Sequence, residues 1–356
     1  MFQAAQVAKF KLIFSFDYTT KPGPWDKNDV VDLINQYKDS KAYFWHHDEQ
    51  PLVSTFEGPD QAEDWHDIKT RTGAFFVPSW SFKGAKKALK LADGVADGLF
   101  SWAAWPEGPN IMTTEVDASY LDFLHQNNKT EYMMPISPWF YTNKHAWLPK
   151  ERLWKGDDLW WDRWIHVWYS KPEYVEIISW NDYGESHHIG PTRTNAMVAF
   201  QANKGNPPFN YALNRSHDAW RMFLPHVIDM YKGGAPPITH EGINVWYRLN
   251  HGHSCSTGGT TGNTASQLQV GGSPANFLDD KITFLALLVG DSKARVKIGN
   301  SDWTDGTWEY HPANFIGLWH GSAPMNRESG TVIVEITRNG GSVITSMVKP
   351  SIMAPA

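Results

Sequence analysis

The chain has 356 residues, enough for two domains at roughly 100–200 residues each. Its 32 Lys and Arg against 38 Asp and Glu give a net charge of -6, which leaves no basic field for nucleic acid or anionic lipid. There are 19 Trp, 13 Tyr and 18 Phe, yet mean hydropathy is -0.46 and no run approaches the roughly 18 apolar residues of a membrane helix. The single cysteine, Cys255, excludes an internal disulfide. Two acceptor sequons, Asn128-Lys129-Thr130 and Asn214-Arg215-Ser216, are compatible with secretion. Residues 1–9 lack the charged and then apolar layout of a signal peptide and read as the last turns of a helix running into a strand.

Strand-length apolar runs then recur at 10–16, 51–56, 74–78, 98–102, 132–137 and 174–180. Helical patterns lie between them, at 26–37 with Val30, Val31, Leu33 and Ile34, and at 116–126 with Tyr120, Leu121, Phe123 and Leu124. This βα rhythm predicts a parallel sheet or barrel. A last helix is predicted over 210–230, stopped by Gly233-Gly234 and followed by Pro236-Pro237, which ends a first domain at 239. Beyond it come a strand at 244–248 and a flexible Gly/Ser/Thr-rich segment near 254–276. Strands follow at 282–288, 294–298, 331–337 and 342–348, the last two joined by Asn339-Gly340-Gly341. Residues 240–356 therefore read as a small all-β domain, a sandwich.

Barrel enzymes carry their chemistry at the C-terminal ends of the strands. After the sixth run the chain reads Trp180-Asn181-Asp182-Tyr183-Gly184-Glu185-Ser186-His187-His188. Asp182 and Glu185 would face apart on a straight strand, and a turn at Gly184 could aim both into one cleft. Two carboxylates in one site are what glycosidic hydrolysis needs, one protonated for the leaving oxygen and one ionised to activate water or attack carbon. Taken alone, the stretch reads equally as a solvated turn. Other strand ends repeat the mixture of acids and rings: Asp17, Glu57, Trp80, Trp102, and Trp139 with Tyr141. Flat rings with carboxylates between them suit the apolar faces and polar edges of sugars. Adjacent His187 and His188 point apart in most backbones, and no HExxH or CxxC spacing occurs, so no metal is expected. No GxSxG elbow, Walker loop or GxGxxG after a strand is present, which disfavours serine, nucleotide and dinucleotide chemistry.

The runs Phe14-Ser15-Phe16-Asp17-Tyr18, Leu52-Val53-Ser54-Thr55-Phe56-Glu57-Gly58, Ser137-Pro138-Trp139-Phe140-Tyr141-Thr142 and, above all, Trp180-Asn181-Asp182-Tyr183-Gly184-Glu185-Ser186 carry a resemblance. In this order they resemble glycoside hydrolase family 71, the fungal α-1,3-glucanases or mutanases, over nearly the whole chain. The resemblance implies an α/β fold: a (β/α)8-type TIM barrel followed by a C-terminal β-sandwich. It implies hydrolysis of α-1,3-glucan, endo-acting and with inversion, without a cofactor, by a secreted or cell-wall enzyme. Acid and base carry over to Asp182 and Glu185, with Glu185 taken as acid and Asp182 as base; the order could be reversed. Inversion predicts carboxyl groups roughly 6.5–9.5 Å apart. Asp17, Glu57, Trp80, Trp102, Trp139, Tyr141, Trp180, Asn181, Tyr183 and His187 are the candidates for holding glucose units. The chain departs from the family at its start, where six barrel strands are counted and the first two βα units are missing. The expected partner is the polysaccharide alone, bound by a monomer, with no nucleic acid or membrane. Two further readings remain: a glycosidase acting on another α-glycan, and a carbohydrate-binding wall protein impaired by the missing strands.

Overall fold

Asp26 accepts the Asn28 N–H at 2.8 Å and starts the helix Lys27–Tyr37, whose Val30, Val31 and Ile34 turn inward. That local logic, an acid or turn residue ahead of an amphipathic stretch, places a helix on one side of a parallel strand array. The computed structural model describes residues 1–20, 23–144, 150–201, 207–254 and 271–353; the expected Gly/Ser/Thr-rich segment lies largely outside them.

Six parallel strands follow in chain order: β1 (Phe14–Asp17), β2 (Gln50–Phe56), β3 (Phe75–Ser79), β4 (Leu99–Phe100), β5 (Tyr132–Ile136) and β6 (Tyr174–Ile177). They form two three-stranded parallel arrays, β1-β2-β3 and β4-β5-β6. Asp97 and Gly98 N–H both donate to Phe76 O and bring β3 beside β4. β1 and β6 are the outer strands, and the sheets do not close. A short strand, Trp45–His46, folds antiparallel onto the start of β2.

Alternation along the strands divides the core. Leu52, Phe75, Val77, Phe100 and Met133 form one buried cluster, whereas Val53, Phe76, Leu99, Met134 and Ile136 belong to another that packs with the helices. Glu176 lies between Tyr174, on the first cluster, and Ile177, on the second; burial pushes its carboxyl up to about 7. The helices are α1 (Phe2–Val7), α2 (Lys27–Tyr37), α3 (Asp64–Thr72), α4 (Ala85–Ala88), α5 (Glu115–Gln126), α6 (Leu159–Ser170) and α7 (Leu224–Tyr231). α5 and α6 are joined through a fully buried pair: Arg163 Nη1 donates to Asp117 Oδ2 at 2.7 Å and Nη2 to Oδ1 at 3.1 Å. Arg163 Nε also donates to Pro135 O at 3.0 Å and Tyr132 Oη to Asp117 Oδ1 at 2.7 Å, which ties both helices to β5.

The helix expected over 210–230 is corrected. Asp218–Arg221 is one 3-10 turn and α7 starts only at Leu224, with Pro225 in its first turn. Proline lacks the N–H an interior helical position needs, so the pattern that ran through it had to break.

After α7 the chain changes to antiparallel pairing. β7 (Gly242–Trp246), β8 (Lys281–Val289), β9 (Lys293–Ile298), β10 (Thr304–Asp305), β11 (Thr307–Tyr310), β12 (Ile316–Pro324), β13 (Gly330–Arg338) and β14 (Ser342–Ile352) form two four-stranded sheets, β7-β8-β12-β11 and β10-β9-β13-β14. Ile243, Val245, Phe284, Val296, Val334 and Ile336, from both sheets, share one apolar cluster. The alternate residues Trp246, Leu285, Leu287 and Leu318 join the core around α6 instead, so the first sheet is buried on both faces. Polar bonds reinforce that contact: Trp246 Nε1 to Asp157 O at 2.8 Å, Arg248 Nη1 to Asp157 Oδ1 at 2.6 Å, and Lys281 Nζ to Asp158 Oδ2 at 2.5 Å.

Candidate active site

The segment after β6 makes a pinched excursion. Ser179 N–H donates to His187 O at 3.0 Å, Ile189 N–H to Ser179 O at 2.8 Å and Gly190 N–H to Trp180 O at 2.8 Å, so residues 180–187 loop out from a paired base. Gly190 is required there, because a Cβ would lie 2.4 Å from Trp180 O. At the far end Ser186 takes the left-handed conformation, with φ 62°.

Ser179 and three loop residues close a ring of hydrogen bonds, two of them donated by the backbone. Asp182 N–H donates to Ser179 Oγ at 2.9 Å, and Glu185 N–H to Asp182 Oδ1 at 2.9 Å. His187 Nδ1 lies 3.0 Å from Ser179 Oγ, and Nε2 lies 3.1 Å from Glu185 Oε2. The ring is satisfied throughout when the Ser179 hydroxyl donates to Nδ1 and Nε2–H donates to Glu185. One carboxylate oxygen each of Asp182 and Glu185 and one ring nitrogen of His187 lie within 4.8 Å of one another. On these oxygens the carboxylates are closer than the roughly 6.5–9.5 Å expected for inversion.

The loop is held from outside. Tyr141 N–H donates to Glu185 O at 3.2 Å, Thr142 Oγ1 and Tyr211 Oη both donate to Gly184 O at 2.8 and 2.7 Å, and Trp139 Nε1 donates to Ser186 O at 2.8 Å. The buried His187 ring lies 5.5 Å from both Trp105 and Phe140, which pack on Trp154. Glu185 keeps its side chain about one-third exposed (35%), while that of His187 is buried (1%). The pair is thus open to a ligand on one side and anchored on the other.

The remaining candidates divide. Asn181 and Trp180 are exposed, the latter at 58%, with the Arg221 guanidinium 5.7 Å from the Trp180 ring centroid. Tyr141, Trp139 and Trp102 are half-buried, Trp102 against Phe56 at 4.6 Å and Trp139 edge-on to Trp220 at 4.7 Å. Asp17 accepts the Thr19 N–H and hydroxyl at 2.8 and 2.7 Å, an Asx-type turn at the end of β1. Glu57, at φ 51° after β2, is buried and accepts the Phe82 N–H at 3.2 Å. Burial pushes its carboxyl up to about 7 despite bonds from the Phe82 and Ser81 backbone. Two assignments change. Trp80 is buried in the helix-side core, edge-on to Phe76 at 5.5 Å, and Tyr183 is buried with its hydroxyl donating to Pro191 O at 2.8 Å. Both serve packing rather than a cleft wall. Conversely, Ser179, Thr142 and Tyr211 hold the loop and were not singled out by sequence; small hydroxyl residues and a remote tyrosine carry no pattern that marks them.

The sequence model of glycosyl hydrolase family 71 matches residues 1–354. The chain belongs to glycosyl hydrolase family 71. It is accordingly a glycoside hydrolase. A glucan endo-1,3-alpha-glucosidase of Schizosaccharomyces pombe is 31% identical over 317 residues, covering 85% of this chain and 69% of that protein. A mutanase of Penicillium rubens is 31% identical over 312 residues, covering 84% and 64% respectively. The family 71 chain therefore spans about two-thirds of the length of these relatives. A solved GH99 endo-alpha-mannosidase from Bacteroides thetaiotaomicron is similar at a TM-score of 0.47 and 16% identity, over 65% of this chain and 69% of that one. Among the described residues no helix is long and apolar enough to cross a membrane.

Proposed function

We propose that this chain hydrolyses the α-1,3-glucosidic bonds of α-1,3-glucan, acting within the polymer and with inversion, as a monomer outside the cell or at the cell wall. The observation that carries this reading is the ring that joins Asp182, Ser179, His187 and Glu185 and leaves two carboxylates at one opening. Glu185 donates its proton to the leaving glycosidic oxygen, and Asp182 activates the water that attacks the anomeric carbon. Trp180, Asn181, Trp102, Trp139, Tyr141 and Asp17 offer rings and polar edges for neighbouring glucose units, whereas the buried Glu57 carboxyl does not reach them. Residues 1–239, with their six parallel strands, are read as a (β/α)8-type barrel, and residues 240–356 as a β-sandwich. The names of the two fungal relatives support the substrate.

Inversion needs room for a water between the carboxyl groups, and rotation of the partly exposed Glu185 side chain widens the gap between these oxygens when a sugar and its water enter. The close spacing itself favours a second reading, retention, in which the nearer carboxylate attacks carbon directly at about 5–5.5 Å separation. Proton NMR of freshly released oligosaccharides decides between them. First appearance of the β-anomer supports inversion, and first appearance of the α-anomer overturns it.

A further inference from the structure

At the opposite end of the parallel array from Asp182 and Glu185, the strand Trp45–His46 turns into β2 through His47 and Asp48, both left-handed at φ 47° and 60°. Glu49 N–H donates to His46 O at 2.9 Å and closes the turn. The turn tip lies against the start of β6. His46 is buried, stacks on Phe75 with ring centroids 3.7 Å apart, and has its Nδ1 hydrogen-bonded to the Tyr174 hydroxyl. His47 Nε2 lies 3.8 Å from Glu173 Oε1, and the two imidazole rings are 4.0 Å apart. One donor atom from each of His46, His47 and Glu173 lies within 4.8 Å of the others.

We propose that His46, His47 and Glu173 form a binding site for a borderline first-row divalent cation, zinc being the fitting probe, that clamps the turn before β2 to the head of β6. Two imidazoles with one carboxylate are a donor set such ions prefer over magnesium or calcium. Bonds of about 2.0–2.2 Å need the donors to draw in by about 1 Å, which the exposed His47 and Glu173 side chains supply. Water takes the fourth position on the open side. The Tyr174 hydroxyl on His46 Nδ1 supplies the outer hydrogen bond that orients a ligating imidazole through its other nitrogen. The clamp joins the β1-β2-β3 array to β6, the outer strand of the other array, so its effect is on stability rather than on the glucosidic reaction.

The test uses the full chain stripped with chelator, then titrated with zinc by calorimetry and melted with and without the ion. Expected are one tight zinc and a raised melting midpoint, both lost in His47→Ala and Glu173→Gln, whose exposed side chains leave the fold intact by circular dichroism. Tyr174→Phe keeps every ligand and should weaken binding about 10–100-fold. No zinc bound by the parent, or equal binding in His47→Ala and Glu173→Gln, overturns the proposal. Zinc lost only in Asp182→Asn and Glu185→Gln would also overturn it, by placing the ion at the other end.

Discussion

Replacing Glu57 by Gln changes the pH dependence of stability in a direction fixed by the burial of its carboxyl. Its folded-state value of about 7 lies above the ordinary 4.5, so between those values the native chain holds a proton that the unfolded chain has released. Stability from this group is therefore fully present below about pH 4.5 and falls as pH rises through about 7. The shift of about 2.5 units corresponds to about 3 kcal/mol in all, of which about 2–3 kcal/mol falls between pH 5 and pH 8. Gln keeps an acceptor for the Phe82 N–H and cannot ionise. Its amide meets the place where Glu57 Oε2 has no hydrogen-bond partner, a cost that does not vary with pH. The readout is consequently a double difference: urea unfolding of parent and Glu57→Gln at pH 5 and at pH 8. Relative to the parent, the variant should gain about 2–3 kcal/mol between the two pH values. A difference independent of pH, or one that favours the parent at pH 8, would mean that the Glu57 carboxyl is not held protonated in the folded chain.

His187→Phe keeps a ring against Trp105 and Phe140 and removes the donor to Glu185. Glu185 becomes negative as it gives up its proton, and a hydrogen bond to a charged group is worth about 1.5–3 kcal/mol, so kcat should fall about 10–100-fold with KM nearly unchanged; steady-state kinetics on soluble oligosaccharides checks the split. Arg163→Met leaves Asp117 buried without its bidentate partner and should cost about 3–5 kcal/mol in denaturant unfolding, whereas Arg163→Met combined with Asp117→Leu should recover much of the loss.

The strands were legible because each carries a short apolar run bounded by turn residues, and β1 to β6 sit within a few residues of their expected limits. The strand β12, reading Ile-Gly-Leu-Trp-His-Gly-Ser-Ala-Pro, was not, since its two glycines and a histidine hide the alternation. Pairing explains it: Gly321 sits where a Cβ would be 2.3 Å from Thr307 O and 2.9 Å from the Phe284 ring, so neighbouring strands choose glycine there. The spacing of Asp182 and Glu185 left a solvated turn as an equal reading, and the resemblance of the surrounding motif to family 71 singled the pair out. The ring through Ser179 and His187 was not legible, because it depends on residues 179–180 folding back on 187–190. Trp80 and Tyr183 misled for a related reason: a ring next to a strand end is as often a packing residue as a wall of the cleft, and only the side-chain direction distinguishes them.

Hydrolysis by Asp182 and Glu185 is read out by reducing-sugar release from insoluble α-1,3-glucan. The parent chain should release sugar, and Asp182→Asn and Glu185→Gln, each matched to the parent in circular dichroism, should lose at least about 1,000-fold in rate. Either variant retaining near-parental activity, or a folded parent that binds the glucan without cleaving it, would contradict hydrolysis by this pair.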